Sequence, residues 1–231
     1  MIKAVIFDYG GVLDSSRQTD EGFKAAAALF GVSPQKLYNV LFNSSPAFKA
    51  LIGAINEDTY YDYVAEILNV ESYRDELPVI IFGQSQINPQ LLNILKTVRK
   101  HNYRTAIISN ALPGLEQILN LWEVTPLFDL IVNSAVVKLA KPDPRIYELA
   151  LKQLALKAKE CLFIDDQPIN VDTAQNLGMN ALHYLDAVHL TRWLQQYGIV
   201  VSQDPEAEKQ AGAGFRGDNL SPWTDNNILS A

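Results

Sequence analysis

Four short, unbroken apolar runs punctuate the chain, at residues 4–7, 105–108, 130–132 and 161–164. Continuous runs of this kind, rather than alternating ones, mark strands buried on both faces of a parallel sheet. A weaker fifth run covers 181–185. Helical stripes separate the later runs. Leu91, Leu95 and Val98 share one face, as do Ile146, Ala150 and Leu154, and Leu190, Trp193, Leu194 and Tyr197 follow the i, i+3, i+4, i+7 spacing. Strand then helix, repeated, predicts an α/β architecture: a doubly wound parallel sheet with right-handed crossovers and helices on both faces.

The rhythm breaks after the first strand. Residues 15–84 are helical in character, with an alanine-rich stretch at 24–30, then 35–42 and 57–68. The run 79–82 reads either as a strand or as a helix end. An insertion of this size predicts a second, helical subdomain and a discontinuous core made of residues 1–14 and 85–202. Beyond it, residues 203–231 are polar, rich in Gly, Asp and Asn, and without periodicity. Such a tail buries too little apolar surface to offset its ordering entropy and is expected to be disordered.

The 231 residues are 48% hydrophobic, enough for a full core. The formal net charge of −7 leaves no broad basic face for nucleic acid. It also repels anionic substrates, so any phosphate site must concentrate its positive charge locally. The single cysteine, Cys161, sits in an apolar run and reads as a core residue. No run approaches the ~18 apolar residues of a membrane span. The N-terminus enters a strand without the features of a signal peptide, which predicts a cytoplasmic protein.

Ligands of open parallel sheets bind beyond the carboxyl ends of the strands, so the polar residues there carry the chemistry. They are Asp8, followed by Tyr9, Gly10 and Gly11; Ser109 and Asn110; Asp165 and Asp166; and, after the third strand, Lys138 and Lys141. Each alone has a structural explanation as a cap, a turn former or a solvated lysine. Adjacent carboxylates, however, repel unless a cation relieves them. A carboxylate, a hydroxyl, an ammonium and a carboxylate pair converging on one rim suit phosphoryl transfer. Asp8 can attack phosphorus to give an aspartyl-phosphate. Lys141 and a magnesium ion offset charge on the phosphate oxygens, with Ser109 and backbone amides adding hydrogen bonds. Gly10 and Gly11 let the backbone approach the phosphate.

At these positions the sequence resembles the haloacid dehalogenase-like hydrolases, in the phosphatase-rich branch with a helical cap. FDYGGVL at 7–13, IISNA at 107–111, KPDPRIY at 141–147 and FIDDQPINVDTAQNLGM at 163–179 follow the order of the family's four motifs. The resemblance covers about residues 1–200. It implies that Asp8 is the nucleophile, Ser109 the phosphate-binding hydroxyl, Asn110 its substrate-binding neighbour and Lys141 the charge-stabilising lysine. It further implies that Asp8, the Gly10 carbonyl and Asp166 ligate Mg2+, with Asp165 a second ligand or an orienter of metal-bound water. Asn170 has a supporting role, and the substrate is a small phosphorylated metabolite.

Two positions depart from the pattern. Gly10 replaces the aspartate that serves these phosphatases as general acid and base, a contribution of roughly 10²–10⁴-fold. Three readings follow, in order: substrates with good leaving groups, such as sugar 1-phosphates or acyl phosphates; a proton from Asp14 or the cap; or a site retained for binding without turnover. Dehalogenases of the family also lack that aspartate, but they use no metal and are neutral where Asp165 and Asp166 stand. Lys138 occupies a position where relatives often carry glycine. The stretch 53–56 between cap helices reads as a substrate-specificity loop or a plain connection.

Overall fold

The computed structural model describes residues 1–14, 20–83, 86–199 and 201. Five parallel strands form one sheet in the order β3-β2-β1-β4-β5. They are β1 (Ala4–Phe7), β2 (Arg104–Ser109), β3 (Leu130–Asn133), β4 (Cys161–Asp165) and β5 (Asn180–His183). β1 is central because all four of its side chains are apolar and fully buried, which only a strand covered on both faces allows. Val5 lies opposite Thr105 on one side and Leu162 on the other, so the first and fourth runs end level with each other.

The pleat divides the core. Val5, Phe7, Ile107, Leu162 and Ile164 face one layer, built from α6 (Pro89–Lys100), α7 (Leu115–Leu121) and α11 (Ala187–Gln196). Ala4, Ile6, Ala106, Ile108 and Phe163 face the opposite layer, in which Ile146, Ala150 and Leu154 of α9 (Pro144–Leu154) pack with Ala174 of α10 (Pro168–Asn176). The helical stripes read from the sequence are the buried faces. Asn88, Asp143 and Asp186 start α6, α9 and α11 by accepting hydrogen bonds from the first-turn amides.

Between β1 and α6 lie α1 (Asp20–Leu29), α2 (Pro34–Phe42), α3 (Ser45–Leu51), α4 (Glu57–Leu68) and α5 (Leu77–Phe82). They bury a core of their own around Leu37, Leu41, Tyr60, Val64 and Leu77. The run 79–82 is therefore helical. Pro78, in the first turn of α5, supplies the helical φ that the apolar composition alone did not indicate. Helix α3 escapes the pattern reading because its seven residues are too short to show a period; Ser44 caps it and Pro46 opens it. The fifth strand is Asn180–His183, displaced toward the N-terminus of the expected 181–185 because Leu182 and Tyr184 are drawn into the core while Leu185 is exposed. No helix among the described residues is long and apolar enough to cross a membrane. Residues 203–231, and the expected boundaries at 14/15 and 84/85, fall outside or at the edge of the described residues.

Candidate active site

Phe7, Ile107 and Ile164 stand side by side in β1, β2 and β4, so the residues that follow them reach one rim. The Asp8 amide donates to the Ile164 carbonyl at 2.8 Å and so continues the β1–β4 ladder by one residue. Ser109 is buried at the end of β2, and Asp165 is fully buried at the end of β4. Lys141, from the loop before α9, reaches in between Asp8 and Asp165. Its Nζ lies 2.8 Å from Asp8 Oδ1 and 2.6 Å from Asp165 Oδ2, with only 1% of its side chain exposed. The Tyr9 amide donates to Asp8 Oδ1 at 2.7 Å.

Burial pushes the Asp8 carboxyl above its ordinary pKa and the charge of Asp165 adds to that, while Lys141 and the Tyr9 amide oppose it. Burial also works against the Lys141 ammonium, but Asp8 and Asp165 outweigh it and hold its pKa above the ordinary lysine value. Lys141 is therefore the charged bridge of a buried triad. Two further side chains hold it in place. Asn110 grips the lysine backbone from both sides: its Nδ2 donates to the Lys141 carbonyl and its Oδ1 accepts from the Lys141 amide, each at 2.8 Å. Asp165 is braced in turn, because its Oδ1 accepts from the Gln167 amide at 2.8 Å and from Asn170 Nδ2 at 3.0 Å.

Asp166 is arranged differently. Its Oδ2 accepts from Gln167 Nε2 at 2.8 Å. Its Oδ1 is buried and has no hydrogen-bond partner, a condition that costs a polar group about 1–3 kcal/mol and a charged one more. Carboxylate oxygens of Asp8, Asp165 and Asp166 lie within 4.8 Å of one another. A hard divalent cation such as magnesium requires oxygen donors of this kind, so the residues present fit one. Gly11 is required by this arrangement. It has φ +87°, and a Cβ there would stand 2.6 Å from Asp166 Oδ2. Gly10 pairs with Asp14, and Asp14 in turn with Ile87, which carries the chain across the rim toward α6.

The helical segment reaches the same rim. Asn133 Nδ2 donates to the Leu112 carbonyl at 2.7 Å and the Ala111 amide donates to Ser134 Oγ at 3.1 Å, which ties the loop after Asn110 to α8 (Ser134–Val137). Gly53, at φ +63°, sits directly on this ledge: a Cβ there would fall 2.1 Å from the Ala135 carbonyl oxygen. Glu57 Oε1 accepts from the Gly114 amide at 3.2 Å. Lys138 ends α8 in the left-handed region, φ +59°, with its side chain in solvent.

Every site residue expected from the motifs thus lies at one edge of the sheet. Gln167, which ties both Asp165 and Asp166, carried no sequence signal, because a glutamine after a strand is ordinary until its two donors are seen in place. The family's model, described as haloacid dehalogenase-like hydrolase, matches residues 2–178. The chain belongs to the haloacid dehalogenase-like hydrolases. Among relatives of this hydrolase, acyl-CoA dehydrogenase family member 10 of Mus musculus is 27% identical over 190 residues, covering 78% of this chain. The chain spans only 18% of that relative's length. A sesquiterpene phosphatase of Aspergillus oryzae is 25% identical over 209 residues and is matched nearly end to end, with 84% of this chain and 95% of the relative covered. In structure, the hydrolase is similar to a haloacid dehalogenase-family enzyme of Bacteroides thetaiotaomicron in complex with magnesium and inorganic phosphate. The TM-score is 0.68 at 23% identity, covering 82% of this chain and 99% of that one.

Proposed function

We propose that this hydrolase is a magnesium-dependent phosphatase that hydrolyses a small phosphorylated metabolite through an aspartyl-phosphate on Asp8. The observation that carries the reading is the unpartnered, buried Asp166 Oδ1 beside Asp8 and its Lys141 ammonium. Asp8, the Gly10 carbonyl and Asp166 are the ligands assigned to magnesium, which when bound neutralises charge on the transferring phosphoryl group. Asp8 attacks phosphorus, the ester oxygen departs with the electrons of the P–O bond, and water then attacks phosphorus to release phosphate and regenerate Asp8. Lys141, Ser109 and the amides around Gly11 offset the charge on the equatorial oxygens.

Two roles are refined relative to the family resemblance. Asp165, its oxygens held by Lys141, Gln167 and Asn170, orients the lysine. Asn110, whose amide is taken up by the Lys141 backbone, fixes the same lysine rather than contacting substrate. With glycine at position 10 no carboxyl stands there to protonate the leaving group, so the reading favours sugar 1-phosphates or acyl phosphates. Residues 15–84 act as the cap, and its Gly53 loop against α8 closes the rim and selects the substrate. The phosphatase among the near full-length relatives supports this class of reaction. A 2-haloacid dehalogenase is the second reading, and the carboxylate of Asp166 argues against it by repelling a carboxylate substrate.

The test is phosphate release from a panel of phosphorylated metabolites, with magnesium and with chelator. Magnesium-dependent release that disappears in Asp8→Asn is the expected result. Chloride release from 2-haloacids with no phosphate release, or release that survives Asp8→Asn, overturns the reading.

A further inference from the structure

We infer that Gln167 is a positioning residue that presents Asp166 Oδ1 to the cation, an inference resting on the metal reading above. Gln167 stands at the N-cap position of α10, yet its side chain makes no capping hydrogen bond. Its two donors go to the two acids instead: the backbone amide to Asp165 Oδ1 and Nε2 to Asp166 Oδ2, both at 2.8 Å. One residue therefore fixes both members of the acidic pair.

The consequence lies in the terminal torsion of Asp166. A carboxylate rotates about a soft torsion, so neither oxygen has a fixed place unless a partner holds the group at one angle. Gln167 sets that angle by holding Oδ2, which leaves Oδ1 as the free electron-pair donor. Gly11 also bounds the carboxylate, since a Cβ there would stand 2.6 Å from Asp166 Oδ2 and 2.7 Å from its Cγ. His183 Nε2, 3.0 Å from the Asp166 carbonyl oxygen, holds the backbone of the same residue. Asp166 is thus fixed at main chain and side chain, and the Gln167 side-chain amide sets the angle at which Oδ1 is presented. Partners of this kind, one bond removed from the metal, raise affinity by restricting their ligand's orientation.

The test is magnesium and manganese binding to the full chain by calorimetry, with Mn2+ spin resonance as a second readout. Wild type, Asp166→Asn, Gln167→Leu and Gln167→Ala are compared with Gln175→Leu. Gln175 is on the same helix and donates to the Ala181 carbonyl, away from the acids. Both Gln167 variants keep the backbone donor to Asp165 and remove only the donor to Asp166. They are expected to raise the magnesium dissociation constant by about tenfold or more, with the metal-free melting temperature unchanged. Gln175→Leu binds as wild type does. If wild type binds, Asp166→Asn does not, and both Gln167 variants bind as wild type, this inference is wrong and the metal reading stands. If wild type fails to bind either ion, or Asp166→Asn binds equally well, the metal reading falls and takes this inference with it.

Discussion

Asp165 and Asp166 are chemically identical neighbours with opposite surroundings. The first is fully buried, with Lys141, Gln167 and Asn170 around its oxygens; the second keeps one buried oxygen without a partner. Removing Lys141 would strand Asp8 and Asp165 as uncompensated buried charges. Lys141→Met is accordingly expected to lose activity and about 3–5 kcal/mol of stability in chemical denaturation. Asp8→Asn should act in the other direction on stability. Burial and Asp165 disfavour the Asp8 carboxylate more than Lys141 and the Tyr9 amide favour it, so the metal-free variant is expected to melt above metal-free wild type. A lower melting temperature would contradict that electrostatic account. Cys161 provides a check outside the site: burial raises its thiol from 9.0 to about 12. At pH 8 the folded chain should resist alkylation, and one thiol should react promptly once it is unfolded. Rapid labelling of the native protein would show that this end of β4 opens.

At the scale of elements, the loop before α9 has no regular structure of its own to position Lys141, and Asn110 provides a substitute. Two hydrogen bonds from the end of β2 set the lysine backbone, and Asp8 and Asp165 set its ammonium. Asn110→Ala is expected to lower kcat/KM by on the order of 10²-fold through misplacement of the lysine, with KM for substrate less affected than kcat. A variant that raises KM alone would make Asn110 a substrate contact instead. The approach of Gly53 to α8 is a second contact between elements. Gly53 needs both its positive φ and the absence of a Cβ against the Ala135 carbonyl. Gly53→Ala therefore costs at least about 1–2 kcal/mol for the left-handed backbone alone. The steric conflict adds to this, and faster amide exchange in α3 and α8 is the measurement that reports it.

The whole molecule carries a net charge of −7, yet its candidate site places an ammonium at the centre of the acidic rim. A bound divalent cation would neutralise what remains of the charge of the three carboxylates, so metal binding should be visible as global stability. At a magnesium concentration 100 times its dissociation constant the gain is about 2.7 kcal/mol. For a chain of this size that means a rise of roughly 5–10 °C in melting temperature. The rise should be absent in Asp166→Asn; an equal rise in that variant would place the ion elsewhere. Helices α1–α5 bury an apolar core separate from the one around the sheet, so the proposed cap movement over the rim would leave both cores intact.

The parallel sheet, the helical insertion and the residues of the rim were legible in the sequence. Unbroken apolar runs imply strands covered on both faces, and the residue after each such strand must then stand at the ligand-binding edge. Local pattern fixes these features, because each depends on a few consecutive residues. What it left open depended on contacts between distant segments. The helix at 77–82 and the seven residues of α3 were too short to display a period. That Asn110 grips Lys141 across 31 positions, that Lys141 takes up Asp165 rather than Asp166, and that Gly53 rests on Ala135 are pairings of segments far apart in the chain. Sequence determined which functional groups reach the rim; tertiary structure decided which of their atoms are already occupied, because hydrogen-bond partners are chosen by proximity in space.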